Sequence, residues 1–151
     1  YMDYGIQLGR RFRALKAWMV FRAFGRQGII SRIREHCRLA ALLASWVEAD
    51  DDFLLAAPVS MGIVCFRCQP RDWTAGETNS LNESIVEAVN ETGLVYVTRT
   101  RLRGRVAIRV GLGNVLTTEA HLEMAWQLII STARRLSAAS EFSLAHPSAA
   151  R

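Results

Sequence analysis

Apolar residues recur along this chain with two different periods, and the change of period marks the elements. From Arg11 to Phe24, the positions Phe12, Leu15, Trp18, Met19, Phe21 and Phe24 cover a wide helical face, Arg13, Lys16 and Arg22 fall outside it, and Gly25 ends the run. A face that wide predicts a mostly buried helix. After Gly28, Ile30, Ile33, Cys37, Ala40, Ala44 and Val47 recur at alternating three and four, which predicts a second helix whose small Ala40 and Ala44 allow close packing. Asp50, Asp51 and Asp52 then read as a solvated turn.

The period shortens next. Phe53–Val59 and Met61–Cys68 are short, apolar and rich in β-formers, and pair naturally as a hairpin, with Pro58 at an edge or bulge because it cannot donate to a ladder. Thr78 or Ser80 is placed to cap a third helix, Ser80 and Glu83 having capping-box spacing, and Leu81, Ile85 and Val89 give it a buried stripe before Gly93. Leu94–Leu102 and Arg105–Gly111 flank an Arg103-Gly104 turn, the clearest hairpin in the chain. Thr117 or Thr118 caps a last long helix carrying Leu122, Trp126, Ile129, Ala133 and Leu136 on one face. Ser137–Arg151 is small and polar, and reads as a frayed tail. This order predicts an α+β fold, a small antiparallel sheet with helices on one face, without internal repeats or a dividing linker.

Composition narrows the class. The 151 residues, 50% hydrophobic and 22% charged, suit one domain with a core of its own. No apolar run reaches the ~18 residues of a membrane-spanning helix, and the start carries no export signal. Cys37, Cys65 and Cys68 are an odd count in a domain that needs no staples, which points to a reducing, cytoplasmic compartment. A chain that begins at Tyr1 and enters a strongly patterned helix within about ten residues reads as a piece of something longer. Residues 1–45 hold nine basic side chains against two acidic ones, and residues 46–151 hold ten against twelve, so +7 and −2 make up the net +5. Clustered arginines could follow a phosphate backbone, but here they alternate with large apolar residues and no nucleic-acid motif accompanies them, as on the wet faces of amphipathic helices.

Few residues offer chemistry. Cys65 and Cys68 have the spacing of a zinc or redox pair, yet they sit in an expected strand, where residues three apart face opposite ways and no helix N-terminus stabilises a thiolate. His36, His121 and His146 supply no paired spacing for a metal, and the first two read as surface or packing residues of helices. Arg109 differs. In Arg105–Gly111, Val106, Ile108 and Val110 face one way, and Arg109 shares the other face with small Ala107 and Gly111. Its planar fork there could take a carboxylate, or make an ion pair at a surface or interface.

Longer stretches carry a resemblance. Leu8-Gly9-Arg10-Arg11-Phe12-Arg13-Ala14-Leu15-Lys16-Ala17-Trp18, then Val20-Phe21-Arg22 and Gly25, resemble the opening of the small C-terminal domain of the pyridoxal-phosphate-dependent group II amino-acid decarboxylases. Gly62–Arg67, Arg105–Arg109 and Thr117–Trp126, with His121 inside, continue the likeness in the family's order, nearest to its aromatic-L-amino-acid branch. The resemblance implies the small domain of a fold type I homodimer, whose cofactor, pyridoxal 5'-phosphate, is held mainly by an upstream large domain. By this likeness residues 1–10 connect to that domain, 11–138 form the small domain, and 139–151 are a frayed tail. The expected activity is conversion of an L-amino acid, aromatic by preference, to its amine and CO2, with no nucleic-acid, membrane or metal partner.

The same likeness assigns residues one by one. The family's Schiff-base lysine lies upstream, and Lys16 falls at a non-catalytic lysine, so no catalytic residue is expected here and the chain alone should be inactive. Tyr1 and Tyr4 do not match the family's catalytic tyrosine. Gly9 matches a glycine that approaches the cofactor phosphate of the neighbouring subunit, and Arg109 matches a strand arginine that binds substrate carboxylate. The alternatives are another substrate of the family, such as glutamate or 2,4-diaminobutyrate, an aldehyde synthase, and a non-catalytic basic interaction domain.

Overall fold

A computed structural model describes residues 13–145. Seven elements follow in order: α1 (Arg13–Ala49), β1 (Phe53–Leu55), β2 (Ile63–Cys68), α2 (Ala75–Glu91), β3 (Thr98–Leu102), β4 (Arg105–Gly111) and α3 (Glu119–Ala145). Residues 1–34 and 35–151 are two compact units, and α1 contributes to both.

The first unit shows α1 up to Arg34. Gly25 takes φ 60° and ψ 178°, so the helix is broken in the middle of its span, at the residue whose sequence context predicts a stop. Arg32 lies over the Phe24 ring at 4.0 Å and Arg22 over Trp18 at 5.8 Å. The expected burial of this helix is not found: Trp18 is 59% and Phe21 62% exposed, and Leu15, Met19 and Phe24 are exposed with them. A wide apolar face needs a second layer to cover it, and a single helix supplies none within its own unit.

The second unit is built on a four-stranded antiparallel sheet of order β1-β2-β4-β3. Phe53 pairs with Cys68, Phe66 with Ile108, and Ile108 with Arg99. Alternation turns Val64, Phe66, Cys68, Val106 and Ile108 to one face. There Val64, Phe66, Cys68 and Ile108 meet Leu39, Leu43 and Val47 of α1, Leu81, Ile85 and Val89 of α2, and Leu122, Trp126 and Ile129 of α3 in one core. Trp126 stands edge-on to Phe53 and Phe66, with centroids 5.0 and 5.7 Å away. The α+β architecture with helices on one face is therefore as expected, and so is the Arg103-Gly104 turn. Both its residues have positive φ, 50° and 77°, the signature of a type I′ turn.

Helix α2 ties the sheet together through its asparagines. Asn82, fully buried, accepts from Cys68 N at 2.9 Å and donates to Cys68 O and Thr78 O, both at 2.7 Å. Asn79 accepts from Val106 N and Asn90 accepts from Val97 N, at 2.9 and 2.8 Å, so three side chains of one helix hold the backbone at the end of β2, in β4 and just ahead of β3. Its edge is charged as well, with Arg99–Glu87 and Arg101–Glu83 pairs at 3.0 and 3.2 Å joining α2 to the edge strand β3.

Several boundaries move. The cap of α2 is Thr74 with Glu77, not Thr78 or Ser80: Thr74 N donates to Glu77 Oε2 at 2.8 Å and Glu77 N to Thr74 Oγ1 at 3.3 Å. Asn82 draws residues ahead of Ser80 into the helix by bonding Thr78 O, and Thr78 is itself inside the core. Strand β1 stops at Leu55 and β3 starts only at Thr98, because Pro58 cannot donate and Asn90 takes the backbone of Val97. Helix α3 opens at Thr118, as expected, and stays helical past Ser137 to Ala145.

Candidate functional site on the open face of the sheet

The opposite face of the sheet carries the polar chemistry. Cys65 and Arg67 of β2, Arg105, Ala107 and Arg109 of β4, and Thr98 and Thr100 of β3 alternate onto it, away from the core that the helices share with the other face. Cys65 is the cross-strand partner of Arg109, which in turn pairs with Thr98; the Thr98 hydroxyl donates to Arg109 O at 3.2 Å. Arg109 is exposed and makes no ion pair among the described residues, and its neighbours Ala107 and Gly111 leave space beside it. The Cys65 thiol is pushed up by burial, an effect that the positive Arg109 partly opposes. The face thus presents a solvated guanidinium next to a protonated thiol, an arrangement suited to holding an anionic group rather than to nucleophilic attack.

Cys68 turns the other way, into the core. Its thiol is pushed up to about 12 by burial first and by Asp52 and Asp50 second, so it is a poor nucleophile. The two cysteines therefore stand on opposite faces, as the strand reading requires. His121 has a structural task that periodicity could not show. Thr118 N donates to its Nδ1 at 3.2 Å and its own N donates to Thr118 Oγ1 at 3.4 Å, a capping box with histidine in place of glutamate. His36 donates from Nε2 to Asn114 O at 3.3 Å.

Gly9 lies outside the described residues. Lys16, the sole lysine of the chain, is exposed on α1 in the first unit. Arg67 is the residue that sequence reasoning passed over. Alternation alone puts it on the open face with Arg109, but its burial, at 3% exposure, depends on how the residues around it close over it.

The small antiparallel sheet with helices on one face recurs in solved structures of decarboxylases, among them a tryptophan decarboxylase of Catharanthus roseus. The family described as pyridoxal-dependent decarboxylase conserved domain matches residues 1–69. The chain is 38% identical to phenylacetaldehyde synthase of Arabidopsis thaliana over 85% of its own length and 26% of the relative's. It is 38% identical to tyrosine decarboxylase 2 of Narcissus pseudonarcissus over 93% of itself and 28% of that protein. The crystal structure of Oryza sativa TDC with PLP and tryptamine superposes with TM-score 0.80 and 33% identity, over 89% of this chain and 29% of that one. By sequence and fold the chain is similar to a C-terminal portion of pyridoxal-dependent decarboxylases, and it spans under a third of the length of the relatives it matches.

Proposed function

We propose that this chain is the C-terminal part of a pyridoxal-phosphate-dependent carboxy-lyase that converts an aromatic L-amino acid to its amine and CO2. The observation that carries the reading is Arg109, a guanidinium without an ion pair among the described residues, set among small neighbours on the open face of a sheet shared with decarboxylases. It binds the substrate carboxylate through its planar fork and so fixes the bond to be broken relative to the cofactor. The second unit contains no lysine, so it offers no amine side chain to hold the cofactor aldehyde; its open face fits a carboxylate instead. When bound, the cofactor would supply an electron sink for the bond pair left on the α-carbon as CO2 departs. Gly9 supports close approach to the cofactor phosphate of a second subunit in a cytoplasmic homodimer, and residues 1–10 join the small domain, 11–138, to the cofactor-holding one.

The test is to supply the longer protein with tyrosine, tryptophan, phenylalanine and glutamate in turn and to measure amine. Turnover confined to the aromatic set supports the reading, and turnover confined to glutamate overturns the substrate class. An aldehyde synthase is the second reading, favoured by the phenylacetaldehyde synthase at 38% identity, equal to that of the tyrosine decarboxylase. Aldehyde in place of amine decides for it.

A further inference from the structure

A second feature of the open face is independent of Arg109. Beside Arg67 the surface is hollowed into a cleft of about 520 Å³, lined by Arg67, Arg103 and Arg105 with Pro58 and Leu102 among its apolar walls. Its size falls within the range of small-ligand pockets. Arg67 is 3% exposed, and its Nε and Nη1 are buried with no hydrogen-bond partner among the described residues. Buried arginines are ordinarily paired, since a guanidinium removed from water without an acceptor is costly. Burial, and secondarily the like charge of Arg105, push this guanidinium below its ordinary value, so the two arginines repel each other across the cleft. No carboxylate lines it among the described residues. Arg103 occupies a left-handed turn position, φ 50°, that asparagine or glycine would fill more easily, and places a third guanidinium at the rim.

We propose that this cleft is a binding site for an oxyanion, carried by a small molecule, with the Arg67 guanidinium as its buried donor and Arg103 and Arg105 as its rim. Three arginines lining one cleft, with no acid among its described lining residues, suit a doubly charged group, a phosphate or a dicarboxylate. The apolar wall of Pro58 and Leu102 accommodates a short carbon frame. The other source of the same chemistry is an acidic side chain from elsewhere in a longer protein, and the two are separated by the choice of probe.

The experiment follows the Arg67 Nε–H NMR signal of the whole chain while inorganic phosphate, succinate or blocked N-acetyl-aspartate amide is added at constant ionic strength. Phosphate or succinate should shift the signal saturably and more tightly than the blocked aspartate, and calorimetry should show the same order. Arg67→Met should weaken binding by at least ~10-fold, as for a lost charge-assisted hydrogen bond. Should that variant fold poorly, Arg103→Gln and Arg105→Gln, both exposed, carry the test, each weakening binding about threefold as rim ion pairs do. Arg71→Gln, outside the cleft, removes the same charge and should change nothing. Tighter binding of the blocked aspartate assigns the oxyanion to a protein side chain and overturns the small-molecule source. No saturable shift with any probe, or equal binding in all the arginine variants, overturns the site.

Discussion

The two faces of the sheet solve opposite problems. The covered face partners its buried groups closely: Asn82 makes three hydrogen bonds of 2.7–2.9 Å, and Phe53, Phe66 and Trp126 close around one another. The open face, built from alternate residues of the same strands, leaves Arg109 without an ion pair and Arg67 without a hydrogen-bond partner for two nitrogens among the described residues. One strand, β2, holds Phe66 and Arg67 side by side in sequence and in opposite roles. Stability resides on the first face, the proposed recognition by Arg109 and Arg67 falls on the second, and the contrast can be attacked from either side.

The largest effect is expected on the covered face. Asn82→Ala strands Cys68 N–H and C=O inside the core, and chemical denaturation should show a loss of about 3 kcal/mol. Gly62→Ala comes next. A Cβ built there falls 2.5 Å from Leu112 O, a backbone atom that is held by the 2.7 Å bond from Leu112 N to Gly62 O. Backbone must yield, costing about 2 kcal/mol by the same measurement. On the open face Arg109→Lys in the longer protein should lower kcat/KM at least ~10-fold, about 1.4 kcal/mol, with melting temperature nearly unchanged. Equal losses of stability and activity would erase the distinction between the faces.

The smallest effect lies at the edge of the covered face, in the Thr74–Glu77 box. The Thr74 hydroxyl first, and its backbone N–H second, hold the Glu77 carboxyl below its ordinary value of 4.5. A depressed carboxylate contributes stability that is present above the unfolded value and lost as pH falls through the folded one. Melting temperature should therefore drop a little further below pH 4.5 in the native chain than in Glu77→Gln, which keeps the reach of the side chain without its titration.

The sequence made the core of this fold legible where burial follows a period. Leu81, Ile85 and Val89 on α2, and Val106 and Ile108 on β4, lie where alternation and helical spacing put them. Arg109 was found the same way, as a charged residue on the face left by apolar neighbours. The misses have another origin. The exposed Trp18 and Phe21 show that a sequence displays an apolar face but not what covers it. Thr74 and Glu77 carry the same spacing as Ser80 and Glu83, and the choice between them was made by Asn82, which bonds residues on a separate strand. Arg67 looks like any charged residue of a half-exposed strand until the cleft around it is known.

The strand order also sets the sequence of events in folding. β3 and β4 meet across two residues, so their pairing costs little loop entropy, whereas β2 reaches β4 only by closing a loop that contains α2 and β3. Asn79 and Asn90 lock α2 onto the β3–β4 hairpin and its approach, which leaves Asn82 in place to receive the end of β2. Hairpin and helix are thus expected to form the nucleus, and the β1–β2 pair, itself joined by a short connection, to dock onto it afterwards. In stopped-flow measurements Asn79→Ala should act chiefly by slowing refolding, and Phe53→Leu, on the strand pair that docks afterwards, by speeding unfolding.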